Sequence, residues 1–435
     1  MEYEFWIEDV DYGGQLIRQN FDKHDNLGID ASKVNVQFPI LLWWTGFTGE
    51  RGRVKTCGLD KCFFTVDRHY SEHPKTKVFM FYGTDFKSND LPLPRQPHHE
   101  WALLHEESPK NNYKLTQPEC LSLFNHTSTF KRESDFPITT QYLRDLSDLT
   151  STEYMVKTSE KSKNGLAPVV YVQSDCDPPS DRDSYVKELM KYIKIDSYGK
   201  CLHNKNLPEE LVDPLTMDNQ QFYAILAKYK FHISFENAIC NDYITEKLWR
   251  SFKIGTVPIY RGSPNIKDWL PSKTSALVAD DYSSPRELAK YIDYLNENDS
   301  EYDKYLEYKK TGITNSNLLS VMKKRNWGVN DYTKMNFIDA FECFVCNQVH
   351  RNNEASLKGV EKQISISKAD HYDCPRPRYF NDGYTNRYID MYQHIYDQGR
   401  YEAMALNYFI QARMNFTKSE LREYALQLRR NEKKL

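Results

Sequence analysis

The chain has 435 residues, of which 40% are hydrophobic and 27% charged; that is enough apolar material for two or three cores and excludes a disordered polymer. Lys and Arg (58) nearly balance Asp and Glu (61), so neither a basic nucleic-acid footprint nor a polybasic membrane surface is present. No apolar run approaches the roughly 20 residues of a membrane span, and the opening residues do not read as a signal peptide.

In chain order, residues 1–36 are polar, carry Gly13-Gly14 and show no sustained period; they read as a leader or stem remnant. The first strand is expected over 38–44 (FPILLWW), the second over 78–82 and the third over 101–104. Runs apolar on both faces belong to strands buried inside a parallel sheet. A polar, Lys- and Ser-rich stretch over 144–165 ends at Gly165 and predicts a domain boundary. Beyond it, strands are expected over 169–173, 231–235, 256–260 and 277–278, and helices over 181–193, 222–228, 242–253 and 285–295. Such alternation makes βαβ units and an open parallel sheet. The pattern predicts an α/β protein of two Rossmann-like domains, 37–165 and 166–350, facing a cleft. A C-terminal extension over 351–435 is expected to be mostly helical, from 400 to 429.

The most informative stretch is 229–264, YKFHISFENAICNDYITEKLWRSFKIGTVPIYRGSP. A buried strand delivers Glu236 and Asn237 to its carboxyl end, where open α/β sheets bind ligands. Asn241 and Asp242 are candidate N-caps for the helix that follows, whose first turns carry Tyr243, Thr245, Glu246 and Lys247. A helix N-terminus attracts phosphate through free N–H groups and a partial positive charge. Lys247 adds a full cation where the macrodipole disfavours one, which a bound anion would explain. Glu246 can accept hydrogen bonds from ribose or sugar hydroxyls. Read without a ligand, Glu246 and Lys247 are an ordinary surface pair, and Arg182 is a helix-face cation pairing with Asp181 or Asp183.

The motif FEN-x5-DYITEKLWR followed by G-x-VP-x-Y is similar to the signature of the inverting alpha-1,3-fucosyltransferases. The resemblance runs from LLWW at 41–44 to FECFVC at 341–346. FYGTDF (81–86), HEESPKNNY (105–113), QSDCDPPSDRDSYV (173–186) and DSYGKCL (196–202) look most like the alpha-1,3-fucosyltransferase 10 and 11 branch, which resembles protein O-fucosyltransferases of the endoplasmic reticulum. It implies a GT-B-type glycosyltransferase that binds GDP-fucose in its C-terminal half. By match to the family motifs, Arg182 neutralises the diphosphate with Lys247 as its partner cation, and Glu236, Asn237, Tyr243 and Glu246 line the nucleotide-sugar pocket. Glu107, directly before Ser-Pro, is then the base that takes the acceptor's proton. Glu106 beside it departs from several relatives and either raises the pKa of Glu107 by like charge or lies solvated.

The resemblance further implies fucosyl transfer with inversion to GlcNAc of a glycan or to Ser or Thr of a folded protein domain. No cofactor or divalent metal is expected, because two cations and a helix dipole already face the leaving group. Asp280-Asp281 and the Asp175/Asp177 pair lack a metal-site context. No nucleic acid is an expected partner, and a membrane only through an anchor absent from this chain, since family members are usually type II proteins of the Golgi or endoplasmic reticulum lumen. A non-catalytic sugar- or client-binding protein on the same fold is the alternative, and the presence of Glu107, Arg182 and Lys247 speaks against it.

Nine cysteines remain to be placed. Relatives carry a local disulfide at Cys343-x2-Cys346, and Cys57 and Cys62, on either side of Gly58, are expected to form a second. A sharper alternative joins Cys343 and Cys346 to His371-x2-Cys374 as a zinc site. The pairing of Cys176, Cys201 and Cys240 is not readable, and the odd count leaves at least one thiol free or paired with another chain. Asn125, Asn298 and Asn415 sit in N-x-[ST] sequons and are candidate glycosylation sites.

Overall fold

The computed structural model describes residues 36–46, 52–213, 217–331, 333–358, 365–381 and 383–432; the expected leader falls outside them apart from Val36. The chain separates into two compact units. The first comprises the chain up to Ile138 together with Ile338–Asp373 and His394–Leu435, and the second Thr139–Phe337 together with Cys374–Gln393. The boundary expected at 165 therefore moves to 138/139, because Leu143 and Leu149 are buried with Ile244, Leu248 and Trp249 of the second unit. The expected extension over 351–435 is not a separate body but is shared between the two units. Among the described residues, no helix is long and apolar enough to cross a membrane.

The first unit is built on a six-stranded sheet of β1 (Ile40–Trp43), β2 (Arg53–Cys57), β3 (Asp60–Thr65), β4 (Thr76–Tyr82), β5 (Glu100–His105) and β6 (His126–Thr129). Their order is β2-β3-β1-β4-β5-β6. All neighbours run parallel except β2, which pairs antiparallel with β3. β1, β4 and β5 are the three strands expected from their apolar runs, and every residue of β1 and β5 is buried. The β2–β3 hairpin turns at Gly58, whose φ of 71° few other residues adopt.

The cysteines correct the expected pairing. Cys57 bonds to Cys343 and Cys62 to Cys346, so neither local bridge forms. Cys343 and Cys346 lie three apart on the helix Phe337–Leu357, hence on one face, and the hairpin offers its two cysteines to that face. The same face carries Glu342, which is fully buried. It accepts a bond from Trp43 Nε1 at 2.7 Å and is paired with Lys55. Breaking such a buried pair costs about 3–5 kcal/mol because the remaining charge is stranded. The zinc alternative is also excluded, since Cys374 is bonded to Cys240. Cys176 pairs with Cys201, and Cys120 is the free thiol, buried.

The second unit holds a wholly parallel five-stranded sheet of β7 (Val169–Tyr171), β8 (Ile195–Ser197), β9 (Phe231–Phe235), β10 (Val257–Arg261) and β11 (Leu277–Val278). The order is β11-β10-β9-β7-β8. The chain therefore builds outward from β7 to β8 and then returns to lay β9 on the other side of β7. That reversal opens a crevice beyond the carboxyl ends of β7 and β9, the usual place for a ligand in a doubly wound sheet. Val186 and Leu189 of the helix Arg182–Leu189, and Leu288 and Ile292 of the helix Pro285–Glu297, pack against Val169, Ile233 and Ile259 of the strands. Instead of one tail helix over 400–429, two helices form, Arg387–Gln411 and Lys418–Glu432.

The loop between those helices carries Asn415, which is exposed. Thr417 of its sequon caps the second helix in a reciprocal box, donating its N–H to Glu420 Oε2 (2.7 Å) and accepting from Glu420 N–H (3.2 Å). Asn298 is partly exposed. Asn125, by contrast, is buried: its Oδ1 accepts from Trp101 N–H (2.8 Å) and Arg95 (2.7 Å), and its Nδ2 donates to the Ser365 carbonyl (2.7 Å). It is thus withdrawn as a glycosylation site. Peptide mapping of protein secreted from glycosylating cells should find glycan on Asn415 and Asn298 and none on Asn125. The same map under non-reducing conditions should contain Cys57–Cys343 and Cys62–Cys346 cross-links; a Cys343–Cys346 loop would contradict this fold.

Candidate active site

In the first unit the HEESP segment leaves the carboxyl end of β5 beside the end of β4. Glu107 is half-buried, and its carbonyl accepts a bond from the Tyr372 hydroxyl at 3.0 Å. The loop behind it is tied to the end of β4: Asn112 Nδ2 donates to the carbonyls of Gly83 (2.8 Å) and Phe86 (2.9 Å). Gly83 has no alternative residue, since a Cβ there would lie 2.3 Å from the ring of His105. His105 is buried, and burial pushes its pKa down to about 3, so it is a neutral ring wedged against Tyr372.

Glu106 is not solvated, as one sequence reading allowed, but buried. Tyr82 donates its hydroxyl to Glu106 Oε1 at 3.1 Å. Burial, and then the charge of Glu107, push the Glu106 carboxyl up to about 8. Its surroundings therefore favour the protonated form of Glu106. Of the pair, Glu106 is held inside and Glu107 lies toward the surface.

In the second unit the sequence-predicted residues gather around the crevice at the ends of β7 and β9. Arg182 opens its helix and is fully buried. Nη1 donates to the Phe235 carbonyl (3.1 Å) and Asn237 Oδ1 (2.5 Å), and Nη2 to the Asp175 carbonyl (2.5 Å). It does not pair with its neighbours in sequence. Asp183 accepts from the Tyr171 hydroxyl and from Asp177 N–H, and Asp181 from Phe380 N–H and Asn386. Arg182 is thus a buried guanidinium hydrogen-bonded to carbonyl and amide oxygens.

The helix expected over 242–253 begins at Glu246, with Thr245 rather than Asn241 or Asp242 as N-cap. Glu236 fixes that start. Its Oε1 accepts from Thr245 N–H (2.8 Å) and its Oε2 from the Thr245 hydroxyl (2.6 Å). Both carboxyl oxygens are engaged inside the protein and Glu236 is fully buried, so it organises the crevice rather than lining a pocket. Gly262 lets it stand there, since a Cβ at 262 would come within 2.5 Å of Glu236 Cγ. Burial pushes Glu236 up to about 7. Glu246 goes the other way: burial opposes its charge, but Lys247 and Arg250 hold it down at about 2. Lys247 Nζ donates to Glu246 Oε1 (3.0 Å) and Thr245 Oγ1 (3.1 Å).

Tyr243 precedes the helix, is buried, and its carbonyl accepts from the Tyr260 hydroxyl at 3.4 Å. Asp242 stitches its loop to the segment after β10. Its N–H donates to Ser263 Oγ (2.8 Å) and its carboxylate accepts from Trp269 Nε1 (3.0 Å) and Asn265 (2.8 Å). Sequence reasoning missed Asp242 in this role, and Thr245 and Asp181 as organisers. Only the αL backbone at Asp181 and Asp242 (φ 53° and 64°) separates these aspartates from ordinary caps, and no residue type signals it. Asp280 and Asp281 pair with Arg261 (3.0 Å) and Lys267 (2.9 Å).

Two family models match. "Glycosyltransferase family 10 (fucosyltransferase) C-term" covers residues 159–364 and "Fucosyltransferase, N-terminal" residues 36–142. GDP-fucose protein O-fucosyltransferase 3 of Danio rerio is 49% identical over 407 residues, spanning 92% of this chain and 89% of that protein. The proteins of the same name from Gallus gallus and Homo sapiens are 52% and 50% identical, each over 88% of this chain and 82% of their own length. A crystal structure of an alpha1,3-fucosyltransferase with GDP aligns over 78% of this chain and 93% of that one, at 16% identity and a TM-score of 0.41.

Glu106 and Glu236 give the fold a pH dependence of definite sign. Both folded-state values are raised above the ordinary value of 4.5, so the folded state binds more protons than the unfolded one. The resulting stability is full below about pH 4.5 and is lost as pH rises through 7 and 8, by up to about 1.4 kcal/mol per pH unit for each group. Melting temperatures between pH 5 and 9 should fall for the wild type and fall less steeply for Glu106→Gln. Parallel curves would show that Glu106 is ionised in the folded protein.

Proposed function

Because the chain belongs to glycosyltransferase family 10, the fucosyltransferases, we propose that it moves L-fucose from GDP-β-L-fucose to a Ser or Thr hydroxyl of a folded protein domain, with inversion at the anomeric carbon. The names of relatives that are about half identical along nearly their whole length support a protein acceptor. The observation that carries the donor side is the crevice at the β7–β9 reversal, where the buried cation of Arg182 stands beyond the strand ends, in the same unit as a helix whose first turn presents Lys247.

Glu107 is the base. It removes the acceptor hydroxyl's proton as that oxygen attacks the anomeric carbon, while the bond to the pyrophosphate oxygen breaks and its electron pair leaves with GDP. Lys247 and the helix N-terminus meet the charge that develops on the leaving diphosphate. Arg182 serves through its field and by holding Asn237 and the 175 loop, since Nη1 and Nη2 donate to protein oxygens. Glu246, ionised, and Asn237 contact the nucleotide sugar, with Tyr243 packed beneath. Glu236 stays a positioning group for Thr245. No divalent metal enters this scheme: Asp280, Asp281 and Asp183 are already engaged by protein partners. The four disulfides fit work in the oxidising lumen of the secretory pathway, as a type II membrane protein of the endoplasmic reticulum or Golgi. No nucleic acid is a partner.

The test is transfer from GDP-fucose to disulfide-bonded small protein domains and, in parallel, to a GlcNAc-terminated glycan. Glu107→Gln should lower transfer to the protein domain by about 10²–10⁴-fold while leaving GDP affinity unchanged. Lys247→Ala should cost about 10²-fold in kcat and weaken GDP binding as well. Labelling of the glycan alone would move the acceptor reading to carbohydrate, and full activity of Glu107→Gln would remove Glu107 as the base.

A further inference from the structure

Residues Cys374–Gln393 belong to the second unit and lie beyond the residues that the family model matches. Nothing in the proposed chemistry uses them, yet they grip both loops that carry the donor-side residues. At one end, Cys374 is bonded to Cys240, in the loop between Asn237 and Tyr243. Further on, Phe380 N–H donates to Asp181 Oδ2 (3.0 Å) and Asn386 Nδ2 to Asp181 Oδ1 (2.8 Å), with Ser184 Oγ also within reach of Asn386 (3.2 Å). Tyr384 donates its hydroxyl to Glu188 on the same helix. The Phe380 ring lies 5.6 Å from that of Tyr185, which packs in the core of the unit.

Asp181 shows that this contact is more than packing. It occupies the N-cap of the helix Arg182–Leu189, where an aspartate ordinarily accepts from the first free N–H groups of its own helix. Here its side chain caps nothing. The carboxylate is turned outward to the 374–393 segment, from a backbone at φ 53° that residues other than glycine rarely adopt. The next residue is Arg182, and the direction in which its side chain enters the crevice follows from that turn.

We infer that Cys374–Gln393 is a positioning strap for the nucleotide-sugar site, with Asp181 and Asn386 as the positioning residues that set Arg182 and with it the diphosphate subsite. This rests on the donor-site reading given above. The strap touches the protein side of the site, so its loss weakens donor binding without removing a reacting group.

The test is a double-mutant cycle on the full chain, using Asn386→Ala, Arg182→Ala and the double variant. GDP affinity is read by calorimetry, and KM and kcat for GDP-fucose with a protein-domain acceptor. Asn386→Ala should raise the GDP Kd and the GDP-fucose KM about tenfold, with kcat and the melting temperature nearly unchanged. In the Arg182→Ala background the further loss should disappear, because the two residues act through one contact. Wild-type affinity in Asn386→Ala, or an undiminished further loss in the Arg182→Ala background, overturns the strap. A fall in kcat and melting temperature with KM unchanged assigns Asn386 a merely structural part and overturns it too. Failure of the wild type to bind GDP removes the donor site and the strap together, whereas binding by the wild type and equally by Asn386→Ala removes the strap alone.

Discussion

The second unit depends on one buried carboxyl group. Glu236 stands directly after β9 and takes both the N–H and the hydroxyl of Thr245. Those two bonds decide where the helix Glu246–Lys253 begins, and so where Lys247 and Glu246 stand. An unsatisfied buried carboxyl or N–H costs about 1–3 kcal/mol, so neither partner can leave without the other. The neighbouring backbone is shaped around this group. Gly262 leaves the room it needs, and the Glu236 N–H donates to the Arg261 carbonyl (2.9 Å), locking the end of β9 to that of β10.

Each unit therefore keeps one carboxyl group inside with its pKa raised and one nearer the surface: Glu106 beside Glu107, Glu236 near Glu246. In both, a hydroxyl from the same unit, that of Tyr82 or Thr245, bonds the inner one. The inner group is a hydrogen-bonding fixture. The Glu246 carboxylate, held near 2 by Lys247 and Arg250, and the Glu106 acid, pushed to about 8, show how far environment separates two identical side chains.

Much of this was legible in the sequence. Strands β1, β4, β5, β9 and β10 announced themselves because apolar runs have few other uses, and the motif around 229–264 pointed to the crevice at the β7–β9 reversal. β6 did not, because His-Thr-Ser-Thr carries no apolar signal. Glu100, Asp135 and His371 answer the buried side chains of His126, Thr127 and Thr129. The helix Phe337–Leu357 hid behind its Cys-x2-Cys, which looks like a local loop but is a helical face with two partners far away. Arg182 was singled out by its motif, but its carbonyl partners come from residues 53 and 7 positions distant, and spacing along a chain does not reveal such closure. The strap eluded composition altogether, since it is polar and its anchor points are isolated residues, Cys374, Phe380, Tyr384 and Asn386.

The Cys57–Cys343 and Cys62–Cys346 bridges join residues 286 and 284 positions apart, and this orders events in time. A ribosome adding about 5–20 residues per second delivers the helical partners tens of seconds after the hairpin has emerged. During that interval the two hairpin thiols have only wrong partners, including each other, and the buried Glu342 that Lys55 and Trp43 require does not yet exist. The N-terminal unit is therefore the first to be synthesised and the last to close, so the whole intervening unit folds while its neighbour waits open. Protein quality is then decided late, by thiol exchange after translation, and a chain that ends before residue 346 loses its beginning as well as its end.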